Sequence, residues 1–192
     1  MENIIGSRHD VVDQVYELRF DLIRNATYHG ARRLFFSKWN KLFNFVIVLI
    51  GTAIATQLSG ELHVKNAAEI FGGLTTLVAT FQLVFDFGTK ASDHAYLQRR
   101  YFELLAELER KPHAEETVLF EIRSKMTTLY ADEPPMMMAL EAVAYNTTAK
   151  SLGKDDGLLK IGFWQTLLKN VVAFNNSEFP REQPPPLGKM GV

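Results

Sequence analysis

Cysteine is absent from all 192 residues, so no disulfide can staple this chain and no thiolate can hold a metal. Neither sign of charge is in marked excess: 21 Lys and Arg face 22 Asp and Glu, a formal net charge of -1. That balance gives no reason to expect a nucleic-acid partner. Signatures of catalysis are missing as well. The five histidines, His9, His29, His63, His94 and His113, show no i, i+4 pair of the kind that grips zinc. No glycine-rich phosphate loop is present, Gly72-Gly73 falls inside an apolar run, and no serine elbow occurs. The paired acids Glu115-Glu116, Asp132-Glu133 and Asp155-Asp156 read as surface or turn charges. The expectation is a chain that is not an enzyme and needs no cofactor. A cleavable signal peptide is not expected either, because about forty charged, helix-patterned residues precede the first apolar run.

What the chain does have is two long apolar stretches. One runs from Leu42 to Ser59 and the other from Asn66 to about Phe87. Only Gly60-Glu61-Leu62-His63-Val64-Lys65 lies between them. A helix rises about 1.5 Å per residue, and a hydrocarbon core of about 30 Å needs about 20 residues. Each stretch is long enough or very nearly so, and the short connection makes the two helices antiparallel neighbours. The alternative, two buried helices of a soluble bundle, lacks comparable apolar helices to surround them. The fold class expected is all-α: a two-helix transmembrane hairpin with long juxtamembrane helices and a cytoplasmic helical bundle.

Positive residues set the orientation. Arg24, Arg32, Arg33, Lys38 and Lys41 precede the first span, and Lys90, Arg99 and Arg100 follow the second. The turn holds only Lys65. Both termini are therefore placed in the cytoplasm, with Phe35, Phe36 and Trp39 where an interfacial aromatic anchor belongs. Asn25-Ala26-Thr27, Asn146-Thr147-Thr148 and Asn175-Asn176-Ser177 match the glycosylation triplet, but this topology hides them from any glycosylating compartment. The pairs Arg32-Arg33 and Arg99-Arg100 are candidates for an anionic ligand or headgroup, although positive-inside flanking also explains them.

Four regions follow. Residues 1–41 form a cytoplasmic helix, with Val11, Val15, Leu18 and Leu22 at heptad-like spacing and Gly30 permitting a break. Residues 42–87 form the hairpin, with spans at about 42–59 and 66–87. Residues 88–178 form the helical region. There Leu97, Tyr101, Leu104 and Leu108 make a stripe that Pro112 ends. Further helices are expected over 114–130, 136–152 and 158–174, with Met136, Met137 and Met138 as adaptable packing. In the last helix Ile161, Phe163, Trp164, Leu167, Leu168, Val171, Val172 and Phe174 share one broad face. Such a helix suits a membrane surface or a docking position on the bundle equally. Residues 179–192, with Pro184-Pro185-Pro186, read as a disordered tail.

Small residues recur every fourth position in the spans: Gly51, Ala55 and Ser59, then Ala68, Gly72, Thr76 and Thr80. These faces permit close helix packing, either within one hairpin or between subunits. In the second case Thr52, Thr56, Gln57, Glu69, Thr75 and Gln82 are candidates to line a polar path, and a channel requires a homo-oligomer. If the chain turns near His63, straight antiparallel helices bring together residues whose numbers sum to about 126. Asp86 then faces Lys38, Asn40 and Lys41, His94 faces Arg32, and Glu69 faces Gln57.

Tyr28-His29, Arg32-Arg33 and Phe35-Phe36 stand before the hairpin. Asp86-Phe87, Lys90-Ala91, His94, Leu97, Arg100-Tyr101 and Leu104-Leu105 stand after it. Over roughly Arg8 to Arg110 this order resembles the SLATT family, bacterial two-transmembrane proteins with helical cytoplasmic extensions. The resemblance implies a bacterial inner-membrane effector of conflict or phage-defence systems, which oligomerises and forms a pore or perturbs the membrane. It implies lipid contact and a cytoplasmic sensor or partner protein, because no sensor domain is fused here. A non-conducting membrane-anchored scaffold that recruits a partner is the alternative. No catalytic or metal-binding residues are carried over.

Overall fold

The structure, a computed structural model, describes residues 2–58, 66–111 and 115–182, with the side chains of 2–10, 57, 58 and 68 outside that description. Among the described residues every regular element is a helix. They are α1 (Glu2–Leu58), α2 (Ala67–Phe85), α3 (Phe87–Glu109), α4 (Glu116–Ala131), α5 (Met138–Ser151) and α6 (Phe163–Leu168). The chain divides into two compact units, Met1–Ala31 with Ala95–Val192, and Arg32–His94.

The first unit is a helical bundle with an apolar interior. Leu18, Leu22 and Ala26 of α1 meet Tyr101, Leu104 and Leu108 of α3 and Leu119, Ile122, Met126 and Leu129 of α4 in one cluster. The positions step by three or four along each helix, so one face of each is apolar and must find a partner. Val11 and Val15 pack at the margin of this cluster. Each fully buried leucine or isoleucine contributes about 1.5–3 kcal/mol relative to exposure. A smaller cluster joins Tyr28 to Leu140 and Ala144 of α5, with Met136 and Met137 packed against it.

Gly30 does not break α1. It is a close-approach position: a Cβ there would lie 2.6 Å from Gln98 Nε2 on α3. The glycine that permits a break thus serves packing inside a continuous helix.

Unit two holds the second half of α1, all of α2 and the start of α3. Phe87 is its anchor, 8 % exposed. Its ring lies 5.3 Å from Phe43, 5.8 Å from Phe85, 6.3 Å from Phe36 and 6.5 Å from Trp39. Between α2 and α3 stands the single residue Asp86, in the left-handed region at φ 41. Its N–H donates to Gln82 O at 2.9 Å, ending α2. Its carboxylate accepts from Thr89 N–H at 3.2 Å, opening α3. Asp is among the few L residues that tolerate this conformation, because its short polar chain bonds locally. One residue therefore caps two helices.

The expected helix over 158–174 shrinks to six residues. Asn146 explains its late start: its amide donates to Leu159 O at 2.8 Å and its Oδ1 accepts from Leu159 N–H at 2.7 Å. That pair holds the backbone extended before Gly162. The first part of the expected tail also has structure. Lys160 N–H donates to Pro180 O at 2.8 Å, and Glu182 N–H donates to Leu158 O at 2.6 Å. Pro184, Pro185 and Pro186 lie outside the described residues, as does the turn 59–65.

Candidate functional site

The apolar stretches of α1 and α2 face outward. Leu42, Phe45, Val48 and Leu49 are 48 %, 59 %, 64 % and 53 % exposed; Leu77, Leu83 and Val84 are 67 %, 81 % and 71 % exposed. In each long apolar segment only 6 % of the most apolar 18-residue window is buried within the protein. Four threonine hydroxyls on these segments are satisfied by carbonyls of their own helix. Thr52 hydroxyl donates to Val48 O at 2.9 Å, Thr75 to Phe71 O at 2.8 Å and Thr76 to Gly72 O at 2.9 Å. Thr56 donates to the carbonyls of Thr52 and Ala53. Hydroxyls returned to their own helix meet an apolar surrounding without an orphan donor. Gln82 Nε2 donates to Asn44 Oδ1 at 2.9 Å and to Asn40 Oδ1 at 3.2 Å, so three amides of α1 and α2 form one knot. Asn40 and Asn44 were not singled out in the sequence as partners of Gln82. Their spacing of four, opposite a lone glutamine, is the signal available there.

The small-residue positions are open. Gly51 and Gly72 have no atom within 4 Å of where a Cβ would stand, and Ala55, Thr76 and Thr80 are exposed. Among the described residues, nothing from the facing helix reaches the two glycine positions. Ser59 and the Gln57 side chain lie outside the described residues, as does any pairing of Gln57 with Glu69. Glu69 itself is exposed in the first turn of α2, where a carboxylate complements the helix dipole.

The residues flanking the apolar segments fall into two sets. Arg32 and His94 share the ring of Phe36: the guanidinium lies 4.5 Å from its centroid and the imidazole stacks at 5.6 Å and 13°. Lys90 Nζ lies 6.0 Å from the same ring. Phe36 and His94 are 7 % and 2 % exposed, so the cations gather on a largely dehydrated aromatic face. Asp86 is different. Its carboxylate caps α3, and among the described residues it forms no ion pair with Lys38 or Lys41. The helix-capping geometry turns the carboxylate along its own chain, which the pairing expectation overlooked.

A second polar constellation sits in the bundle and was missed. Glu133, expected as a turn charge, has a side chain only 9 % exposed. Its Oε1 lies 3.1 Å from His29 Nε2 and also accepts from the Tyr101 hydroxyl. His29 and Tyr101 stack at 5.6 Å and 9°. Burial and the Glu133 carboxylate push the Tyr101 hydroxyl well above the usual tyrosine range. Asn25 donates to Tyr130 OH at 3.0 Å, and Tyr28 OH accepts from Met137 N–H at 2.9 Å. Arg24 lies 3.2 Å from Asp21 and 2.9 Å from Glu141, the latter contact too bent for a full hydrogen bond. Burial raises the Glu141 carboxyl, with Arg24 opposing. Asn25 and Asn146 of the glycosylation triplets are thus structural residues. Glu133 lies 104 residues from His29 and 32 from Tyr101. No local spacing links them.

Beside this cluster an open cleft of about 330 Å³ is lined by Tyr16, Phe20, Tyr145, Arg24, Lys154 and Asp21 among others. Lys154 Nζ sits 4.3 Å above the Tyr16 ring, so the cleft already holds a cation of its own. Among the described residues no group of three His, Asp or Glu is placed to hold a metal ion. No protein-family model, curated protein or solved structure matches this chain.

Proposed function

We propose that this protein is a membrane effector whose α1 and α2 cross the bilayer as an antiparallel hairpin, with both termini in the cytoplasm, and assemble with other copies around a polar path. The observation that carries this reading is the 6 % burial of two apolar windows in a protein whose α3, α4 and α5 each bury an apolar face. Water does not tolerate two such surfaces on one chain, whereas lipid does. Contacts of rising positions on α1 with falling positions on α2 and α3 support the hairpin: Phe36 meets His94, Asn40 meets Gln82 and Phe43 meets Phe81. The open face of Gly51, Ala55, Gly72, Thr76 and Thr80 supports packing between subunits, because among the described residues no facing helix reaches a Cβ at Gly51 or Gly72 and the other three are exposed. Glu69 and Gln82, with Gln57, would line the path. The resemblance to SLATT proteins adds a bacterial conflict or phage-defence setting and a separate cytoplasmic trigger.

Conductance of purified protein across a planar bilayer tests this, with Glu69→Leu as the control. Expected are discrete currents whose cation preference falls in Glu69→Leu. Inserted protein that passes no current overturns the effector reading and leaves the hairpin standing. A second reading, a non-conducting anchored scaffold, is favoured by one observation: the Gln82 amide is already engaged by Asn40 and Asn44 of its own chain. It predicts a stable partner complex, no current, and tolerance of Glu69→Leu.

A further inference from the structure

The segment from Leu158 to Phe174 combines a fixed backbone with an unusually apolar outer face. Its start is tied to Asn146 by two hydrogen bonds and to Pro180 by the Lys160 amide. Its end is tied to α5, where Met138 N–H donates to Ala173 O at 3.0 Å. Gly162 N–H donates to Gln165 Oε1 at 2.7 Å and opens α6. Between these ties the chain presents Phe163, Trp164, Leu167, Val171 and Val172 at 74 %, 66 %, 61 %, 66 % and 40 % exposure. A loose loop would fold such residues inward. Here the ties prevent it, and the first unit's core is complete without them. From Gly157 to Ser177 the segment carries Lys160 and Lys169 and no acidic residue.

We infer that this segment is a second membrane contact, in which Phe163, Trp164, Leu167 and Val171 enter the headgroup and upper acyl region of an anionic leaflet while Lys160 and Lys169 meet the lipid phosphates. Aromatic residues favour that boundary, lysine stems reach from it to headgroups, and an apolar face flanked by lysines is the composition of an interfacial helix. A second copy of the chain fits less well. Five side chains fall short of the about 800 Å² per partner that a stable dimer buries, and a two-fold interface would bring four lysines together. The inference rests on the two-span reading, which keeps the segment tethered near lipid. Tethering lets so small an apolar face bind.

The two tryptophans of the chain, Trp39 and Trp164, separate the two claims. Full-length protein is reconstituted into vesicles of phosphatidylglycerol and phosphatidylcholine carrying lipids brominated on the acyl chain. Trp39→Phe leaves Trp164 as reporter, and Trp164→Phe leaves Trp39 to report on α1. The expected result is blue-shifted, bromine-quenched Trp164 emission in anionic vesicles. High salt should weaken it, and a Lys160→Glu, Lys169→Glu pair should lower the docked fraction by roughly fivefold or more per lysine at low occupancy. Unquenched Trp164 beside quenched Trp39 overturns the surface contact and leaves the spans standing. Blue-shifted Trp164 that bromine does not quench is covered by protein, and also overturns it. Quenching that is indifferent to lipid charge and to both lysines overturns the anionic preference. Quenched Trp164 beside unquenched Trp39 supports the surface contact and removes support for the spans. If neither is quenched, both fail.

Discussion

Along α1 the same residue types meet opposite fates. Leu18 and Leu22 are 1 % and 0 % exposed, whereas Leu42 and Leu49 are 48 % and 53 % exposed. Helix propensity is identical for all four, so local structure does not distinguish them. The neighbours do. In the first unit α3, α4 and α5 supply apolar faces that cover α1. In the second, α1 meets α2 and α3 along a narrow aromatic and amide seam, and the rest of its surface stays open. The first half of α1 has its apolar stripe covered, and the second half displays most of its own. The comparison teaches that covering, not composition, separates the two halves of a single helix, and that the outer half is long and apolar enough to cross a membrane.

The strongest way to break this comparison is to place a charge on each side. Leu22→Asp puts a carboxylate at a fully buried site with no partner, at a cost expected to exceed about 5 kcal/mol. The bundle should lose its protection from proteolysis, while Val12→Asp, on the same helix at 60 % exposure, leaves it intact. Survival of Leu22→Asp with a native protection pattern would mean that the first unit has no closed core.

Next in size is Glu133→Ala. It leaves His29 and the Tyr101 hydroxyl, both nearly inaccessible, short of an acceptor, at about 1–3 kcal/mol each and so about 4 kcal/mol together. The midpoint of thermal unfolding in detergent should fall sharply. Asp132→Ala, the exposed neighbour, should change it little. Equal effects from the two would return Glu133 to the turn charge that its sequence suggests.

Leu77→Arg sharpens the outward side. Leu77 is 67 % exposed, and in water such a substitution costs within about 0.5 kcal/mol. In lipid an arginine near a span's centre costs about 3 kcal/mol of insertion. Membrane fractionation should therefore show loss of inserted protein for Leu77→Arg. Phe120→Arg, at 75 % exposure on α4, serves as the aqueous control and should fractionate like the parent. If the two variants behave alike, the units share one solvent and the contrast disappears.

Periodic signals were readable in the sequence wherever one helix face had to be covered. The stripe Leu97, Tyr101, Leu104 and Leu108 is buried throughout, and α3 ends at Glu109, just before Pro112. The all-helical class and the two long apolar segments were readable for the same reason. Three features were not. Glu133 finds its partners only through tertiary packing, so it looks like any turn acid. Asp86 enters a left-handed conformation that its composition permits but does not demand. The apolar periodicity of 158–174 is real, yet the Asn146 tie holds its first residues extended, and a side-chain clamp 13 residues away leaves no mark on a helical wheel. Of the candidate polar path, Gln82 found partners in Asn40 and Asn44, one turn apart on the facing helix.

The smallest effect expected concerns the inward unit at alkaline pH. Tyr101→Phe removes one hydrogen bond to Glu133 and should cost about 2 kcal/mol at pH 7, since a bond to a charged acceptor contributes about 1.5–3 kcal/mol. It also removes a titration. An unfolded tyrosine loses its proton near pH 10.0, but burial and the Glu133 carboxylate hold the proton on folded Tyr101 far beyond that. Above pH 10 the unfolded chain therefore binds fewer protons than the folded one, and stability falls by up to about 1.4 kcal/mol per pH unit. Tyr130, raised mainly by burial, adds a second contribution of the same sign. Tyr101→Phe should keep the Tyr130 part and lose its own, so parent and variant stabilities converge between pH 10 and 11. Helix melting of the detergent-solubilised protein at pH 8, 10 and 11 measures this. Parallel curves at all three values would mean that the Tyr101 hydroxyl reaches water in the folded protein, and that the bundle is less closed on its polar side than on its apolar one.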